Sequence, residues 1–366
     1  MTTDSKAFAV FRAFIGPVGD EGAYKIQCTD KKKSSMYYVK RYSNEGQALE
    51  IYKEAEKLKG LHVAVAHPPN KTTVFFQPLG ISLYDFMIFD DKKKLFLNDH
   101  VGKAFMVSDF FKEIARQLVI LVKILKEKNL CCDINLETIF VSNFAEDRPY
   151  VEVASISKLE LQKEMKLSSV ADVLEDLLKV AGYQGDVEQR CISSLIKKTH
   201  IGRINVVLYD SVFWGWQTRI DFIVELSGVE KQMSYLSFQF RAGRASSVFD
   251  ADWRTKVKQN ADLEALKLQY DDYQKKDGPK SSEPLSIKAE STLACLHFMN
   301  ATFIHLDLMT AQIQRKKPDF RIRNRRELQS LYEQIFPGHI IALADISKNF
   351  AESISMLRPW KKAKAI

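Results

Sequence analysis

Over the first part of the chain, hydrophobic residues come in short runs with a period close to two, which is typical of β-strands. The clearest runs lie at residues 23–28, 36–40 and 72–76, and a glycine-rich turn cluster precedes them after an apolar run at 8–11. Between these strands, residues 45–60 carry apolar positions at helical spacing. The pattern predicts a small, mostly antiparallel sheet with one helix.

Further along the chain, the period of the hydrophobic pattern becomes that of an α-helix. A long apolar stripe covers 108–126, and two short apolar runs at 139–141 and 150–154 flank a turn. The remaining sequence is helix-periodic, apart from an expected break at 226–228 and a polar insertion at 277–290. Strands with one helix, then a helical lobe and a further helical unit, predict an α+β fold in two domains.

Composition narrows the class of protein. The chain has 366 residues and a net charge of +8, which permits nucleic acid as a partner without demanding it. No run approaches the roughly 20 apolar residues that a membrane helix needs, and the 5 cysteines form no C-x-x-C pair. We therefore expect no membrane partner, no metal site and reduced thiols, in the cytoplasm or alternatively the nucleus.

Three stretches carry landmarks of protein kinases. A Tyr-Val-Lys run ends at Lys40, and the stretch that starts at Glu54 resembles the helix-C pattern Glu-x-x-x-Leu-x-x-Leu-x-His. Residues 129–141 align without gaps on the catalytic-loop pattern His-Arg-Asp-x-Lys-x-x-Asn-Ile-Leu, with Asp133 in the base position. The resemblance implies a bilobal protein-kinase-like fold, an ion pair between Lys40 and Glu54, and a degenerate nucleotide site formed by Lys40, Glu54 and Asp133.

The magnesium ligands of a kinase are replaced. Thr138 stands in the position of the metal-binding asparagine, and Ser155 in that of the aspartate of Asp-Phe-Gly. Since phosphoryl transfer relies on Mg²⁺ to neutralise developing charge, the resemblance implies a pseudokinase. No cofactor is certain, and ATP or ADP bound without strong magnesium dependence remains open.

The segment after the kinase-like region resembles a second known family. Residues 210–227 are similar to the pattern His-Pro-Phe-Phe-Trp-x-x-x-x-Arg-Leu-x-Phe-Leu-x-x-x-Ser, which joins kinase and nuclease domains in the unfolded-protein-response sensor kinase–endoribonuclease and ribonuclease L families. Asp252-Trp253-Arg254, Tyr270-Asp271-Asp272-Tyr273 and the stretch 327–340 resemble later elements of the helical ribonuclease, or KEN, domain. The resemblance implies a pseudokinase domain over 1–225 and an all-α KEN-type domain over 226–366.

The family's ribonuclease chemistry is metal-free. A base takes the proton of the 2′-hydroxyl, the oxygen attacks the adjacent phosphorus, and an acid protonates the leaving 5′-oxygen. By resemblance, His305 is the acid, Asn300 is a positioning amide and Tyr273 lies near the phosphate. An ordinary histidine on a helix surface is the alternative interpretation of His305.

Two departures from the family pattern affect this candidate catalytic site. Met299 replaces an arginine, and His305 follows Asn300 by five residues rather than four. One extra residue turns a helical side chain by about 100°, so a regular helix aims His305 away from Asn300. A π-bulge would restore the aim.

A basic segment follows the candidate catalytic helix. Residues 315–326 hold seven basic residues in twelve, with Phe320 and Ile322 between them. Arg321, Arg323, Arg325 and Arg326 are the predicted RNA-binding residues. A solvated loop or a nuclear-import patch are the alternatives.

Two functions are therefore compatible with the sequence. One is a metal-independent endoribonuclease of the family type, or a weakened version of it. The other is a catalytically silent regulator that binds RNA or an active kinase–endoribonuclease relative. In either case we expect RNA as a partner, and a homodimer or a heterodimer with such a relative.

Overall fold

The structure, a computed structural model, has two compact units, Met1–Leu208 and Tyr209–Ile366. It describes residues 11–18, 23–30, 33–88, 94–98, 104–142, 148–159, 166–183, 185, 187–199, 204–208, 210–230, 252–277 and 287–351. Residues 8–10 of the first predicted run and part of the glycine-rich turn fall outside these ranges.

The strands all lie in the first unit, within the part of the chain that is described. They are β1 Phe11–Val18, β2 Ala23–Asp30, β3 Lys33–Arg41, β4 Val65–Asn70, β5 Thr73–Gln77, β6 Ile81–Ser82, β7 Phe96–Asn98, β8 Ala104–Val107, β9 Leu130–Cys131, β10 Ile139–Ser142, β11 Tyr150–Val153 and β12 Ser157–Lys158. The first five form an antiparallel sheet in the order β1-β2-β3-β5-β4. This confirms the predicted small antiparallel sheet.

The first unit also contains helices α1 Glu45–Lys57, α2 Leu83–Ile88, α3 Asp109–Glu127, α4 Leu167–Val180, α5 Val187–Lys198 and α6 Ile204–Leu208. Helix α1 starts at the N-cap Asn44, whose side chain accepts a hydrogen bond from the Gln47 amide. Its buried face consists of Ala48, Ile51 and Ala55. The α+β class and the positions of α1 and α3 agree with the sequence prediction.

A short hairpin, formed by strands β10 and β11, positions the loop around Asp133 that precedes it in the sequence. Strand β10 pairs antiparallel with β11 and also with β6, so the hairpin lies in a three-stranded sheet. Gly80, next to β6, passes so close to this sheet that an added Cβ would lie 1.9 Å from the Val141 carbonyl oxygen. Only glycine fits there without a backbone shift.

The second unit is helical in its described residues. Its helices are α7 Trp216–Glu230, α8 Trp253–Lys258, α9 Ala261–Asp277, α10 Ile287–Lys316, α11 Arg325–Ile335 and α12 His339–Ala351, and a 3₁₀ turn spans Ser211–Phe213. Their apolar faces form one core around Trp253, Phe298 and Tyr332. The predicted polar insertion is shorter than expected, because α9 continues to Asp277 and α10 already begins at Ile287.

The break predicted at residues 226–228 is wrong. Helix α7 continues through it, because Leu226 and Ser227 are buried and their packing outweighs the cost of about 1 kcal/mol for a glycine inside a helix. The domain boundary expected at residue 225 therefore falls inside α7, whereas the structure divides the chain after Leu208.

Candidate nucleotide cleft and nucleic-acid interface

Lys40, on strand β3, points into the first unit rather than into solvent. It is 5% exposed, and its Nζ lies 3.9 Å from Oδ2 of Asp133. Glu54 instead accepts a hydrogen bond of 2.6 Å from Lys57, three residues further along the same helix. The expected Lys40–Glu54 ion pair is therefore wrong, since each residue has a closer partner.

The loop around Asp133 is held by its own side chains. The Asn135 Oδ1 accepts hydrogen bonds from the backbone amides of Glu137 and Thr138, at 2.9 Å and 3.0 Å. The Thr138 hydroxyl donates to the Asp133 carbonyl oxygen at 2.6 Å. These hydrogen bonds between side chains and backbone fix the geometry of the loop.

The two residues that the kinase resemblance aligns with magnesium ligands carry buried hydroxyls. Thr138 and Ser155 are each 2% exposed, and the Thr138 hydroxyl already donates a hydrogen bond to the loop backbone. Mg²⁺ is bound in proteins chiefly by carboxylates, water and phosphate oxygens. This pair of residues offers no carboxylate, so it does not fit a catalytic magnesium ion.

Tyr38 belongs to the same region as Lys40 and Asp133, although the sequence analysis did not identify it. It is 1% exposed and shares a face of β3 with Lys40. Burial, together with the negative charge of Asp133, raises the pKa of Tyr38 far above its usual value, and Ser155 partly offsets the rise. Burial likewise raises the pKa of the Cys132 thiol, so this cysteine stays protonated at neutral pH.

No hydrogen bond joins the three candidate ribonuclease residues, all of which lie in the described part of the chain. The Tyr273 hydroxyl, on α9, donates to Oε1 of Gln312 on α10 at 2.8 Å. Gln312 lies seven residues, or about two helical turns, beyond His305. His305 is exposed, and the Asn300 Oδ1 is buried with no hydrogen-bond partner.

The backbone of α10 departs from helical geometry at His305. There φ is −106° and ψ is 18°, which produces a kink between two helical stretches. The structure has this kink, and not a π-bulge, at His305. Met299 is fully buried in the core of the second unit, so the position at which the family carries an arginine faces inward here.

The basic segment alternates between core and solvent. Phe320 and Ile322 are each 4% exposed, whereas Arg321 and Arg323 are exposed. This alternation is that of an extended chain, so the two apolar side chains anchor the segment and the arginines project from it.

The next two arginines open a helix. Asn324 is the N-cap of α11, and its side chain accepts from the Glu327 amide at 2.9 Å. The exposed Arg325 and Arg326 therefore occupy the first turn of α11. The helix dipole disfavours cations at this end of a helix.

Lys317 serves a structural role instead. Its Nζ donates to the Ala261 carbonyl oxygen at 3.0 Å and lies 3.5 Å from Asp262. It thereby ties the end of α10 to the start of α9.

An open groove runs between α9 and α10 in the second unit. Its volume is about 500 Å³, and its lining residues are Gln269, Asp272, Lys275, Gln312, Arg315 and Lys316. Only Arg315 and Lys316 belong to the basic segment that the sequence analysis identified. The other residues were missed, because the packing of two helices against each other leaves no signal in a single sequence.

No protein-family model matches the sequence, and no curated protein is significantly similar to it. Among the described residues, no group of three or more His, Cys, Asp or Glu side chains is placed to hold a metal ion. None of the helices in the described part of the chain has the length and apolar character that crossing a bilayer requires.

Proposed function

We propose that this protein is a catalytically silent RNA-binding protein, built from a pseudokinase unit and a KEN-type helical unit. The observation that carries the proposal is the alternation of buried Phe320 and Ile322 with exposed Arg321 and Arg323. Anchored apolar residues hold the arginines in place, so less conformational entropy is lost when they meet phosphates. The two arginines in the first turn of α11 extend this cationic surface.

Catalytic silence is supported by the different surroundings of the candidate residues. An acid and a positioning amide must converge on one phosphate. Here the Tyr273 hydroxyl is hydrogen-bonded to Gln312, the Asn300 oxygen is buried, and His305 is exposed at the kink. The buried hydroxyls of Thr138 and Ser155 likewise support the loss of phosphotransfer.

RNA binding is tested by the salt dependence of affinity for single-stranded RNA, with wild type compared to a variant in which Arg321, Arg323, Arg325 and Arg326 are all glutamine. We expect the slope of log affinity against log salt to fall by about 0.7 for each lost contact. A matched control replaces four exposed lysines of the first unit with glutamine: Lys53, Lys59, Lys128 and Lys198. An equal loss in both variants would mean that net charge alone attracts RNA, and it would refute the proposed surface.

A metal-independent endoribonuclease is the second candidate, and the kink favours it. His305 lies at the kink and is exposed, so its imidazole is accessible to RNA that lies along α10. RNA cleavage in the presence of a chelator, compared between wild type and His305→Ala, separates the two functions. Cleavage that disappears in His305→Ala would establish the nuclease and refute catalytic silence.

A further inference from the structure

The groove between α9 and α10 presents a set of donors and acceptors distinct from the arginine surface at 321–326. Gln269, Asp272 and Lys275 are spaced by three residues on α9, and Gln312, Arg315 and Lys316 share a face of α10. Three cations against one carboxylate leave an excess of positive charge. Its volume of about 500 Å³ lies in the range of small-molecule sites, about 300–1,000 Å³.

The amide of Gln312 is oriented by a neighbour. Because the Tyr273 hydroxyl donates to Oε1 of Gln312 at 2.8 Å, the amide nitrogen is the end that remains to donate a hydrogen bond to a ligand. This gives Tyr273 a positioning role that does not require contact with His305.

Asp272 indicates what kind of anion fits. Its carboxylate lies 3.9 Å from Lys275, and its side chain is more than half exposed. The negative charge of the carboxylate repels bare phosphate. Because a carboxylate accepts hydrogen bonds and cannot donate them, it favours a hydroxyl beside the phosphate. A ribose 2′-hydroxyl is such a donor, and it is the group that distinguishes RNA from DNA.

We propose that this groove is a ribose-phosphate subsite, in which Lys275, Arg315 and Lys316 meet phosphates and Asp272 accepts a hydrogen bond from the 2′-hydroxyl. The inference rests on the proposed RNA-binding function and adds to it a preference for RNA over DNA. In this proposal the arginines at 321–326 supply binding affinity, and the groove distinguishes ribose from deoxyribose.

The test compares the affinities of the full-length protein for single-stranded RNA and DNA of the same sequence, by fluorescence anisotropy at fixed salt. In Asp272→Ala, we expect the ratio of RNA to DNA affinity to fall by about threefold to tenfold, the effect of one hydrogen bond. Asp272→Asn keeps an acceptor oxygen and should retain much of the preference. An unchanged ratio in Asp272→Ala would overturn the subsite.

A second variant isolates the cations of the groove. Lys275→Gln, Arg315→Gln and Lys316→Gln together should lower the salt slope for RNA by about 2, at about 0.7 for each contact. Lys258→Gln, an exposed lysine of the same unit, is the single-charge control. An unchanged slope in the groove variant, with a reduced slope in the four-arginine variant, would overturn the groove and leave the proposed function intact. No RNA binding by the wild type would refute both.

Discussion

Gly80 shows how one residue without a side chain permits two strands to meet. An added Cβ would lie 1.9 Å from a backbone oxygen, which a rotamer change cannot relieve. We expect Gly80→Ala to lower the free energy of unfolding by about 1–3 kcal/mol, the cost of overpacking, as measured by urea denaturation.

The same substitution at Gly228 is the matched control. Nothing lies within 4 Å of a Cβ built there, and Gly228 lies inside helix α7. Gly228→Ala should stabilise by up to about 1 kcal/mol. Equal effects at the two glycines would contradict the steric explanation.

Glu152 makes the stability of the first unit depend on pH. The residue is buried on β11; desolvation raises the pKa of its carboxyl, and a hydrogen bond from the Leu79 amide lowers it in part. Because the pKa is higher in the folded state, this group favours folding below its ordinary value of about 4.3, and that contribution is lost as pH rises through the raised pKa.

Glu152→Gln keeps an acceptor for Leu79 and removes the charge. We expect this variant to be more stable than wild type at neutral pH, with the difference vanishing near pH 4 because both side chains are then neutral. Urea unfolding at the two pH values measures it. Glu56→Gln, at an exposed position of α1, is the control for the chemical change from glutamate to glutamine. A wild type more stable than Glu152→Gln at pH 7 would disprove the argument.

At the scale of elements, a buried ion pair joins α7 to α11. Arg219 lies 2.7 Å from Glu333, and the arginine Nε also donates to the Trp214 carbonyl oxygen at 2.9 Å. Removal of one partner leaves a buried charge, so Arg219→Met should cost about 3–5 kcal/mol in urea unfolding.

A double-mutant cycle separates the interaction energy of the ion pair from the effect of lost packing. Arg219→Met with Glu333→Leu should lose much less than the sum of the single changes, because no uncompensated charge remains. Lys275→Met, which breaks an exposed pair in the same unit, should change stability by less than about 0.5 kcal/mol. Additive losses in the double variant would mean that the two charges do not stabilise each other.

For the whole molecule, we expect no phosphoryl transfer. Buried hydroxyls stand at the two positions that the kinase resemblance assigns to magnesium ligands, and Lys40 is paired with Asp133. The protein should incorporate no labelled phosphate, and ATP should shift its melting temperature little, with or without Mg²⁺. Incorporation that Asp133→Ala abolishes, or stabilisation that requires magnesium, would refute this.

The sequence also predicts association through the helical unit, since the KEN domains that it resembles work as paired subunits. Sedimentation at micromolar concentration should show a species heavier than the 42.0 kDa monomer. A monomer at every concentration, with and without RNA, would count against pairing.

Local patterns in the sequence were enough to determine several features of the fold. The antiparallel sheet, the long helix α3 and the hairpin of β10 and β11 agree with prediction, because period and propensity act over neighbouring residues. The assignment of Thr138 and Ser155 to the magnesium-ligand positions of a kinase rests on the resemblance and stays a prediction. The basic segment at 315–326 is evident from the sequence, whereas the burial of Phe320 and Ile322 is seen only in the structure.

Only the tertiary structure decided which side chains meet. Lys40 pairs with Asp133 because the sheet and the loop pack together, although Glu54 was the partner expected from the sequence. Helix α7 passes a predicted break because core packing outweighs the local preference of glycine. The groove between α9 and α10 depends on contacts between residues about 40 positions apart. Such long-range contacts form when whole faces of helices and sheets are buried against each other. A local sequence pattern does not specify which faces meet.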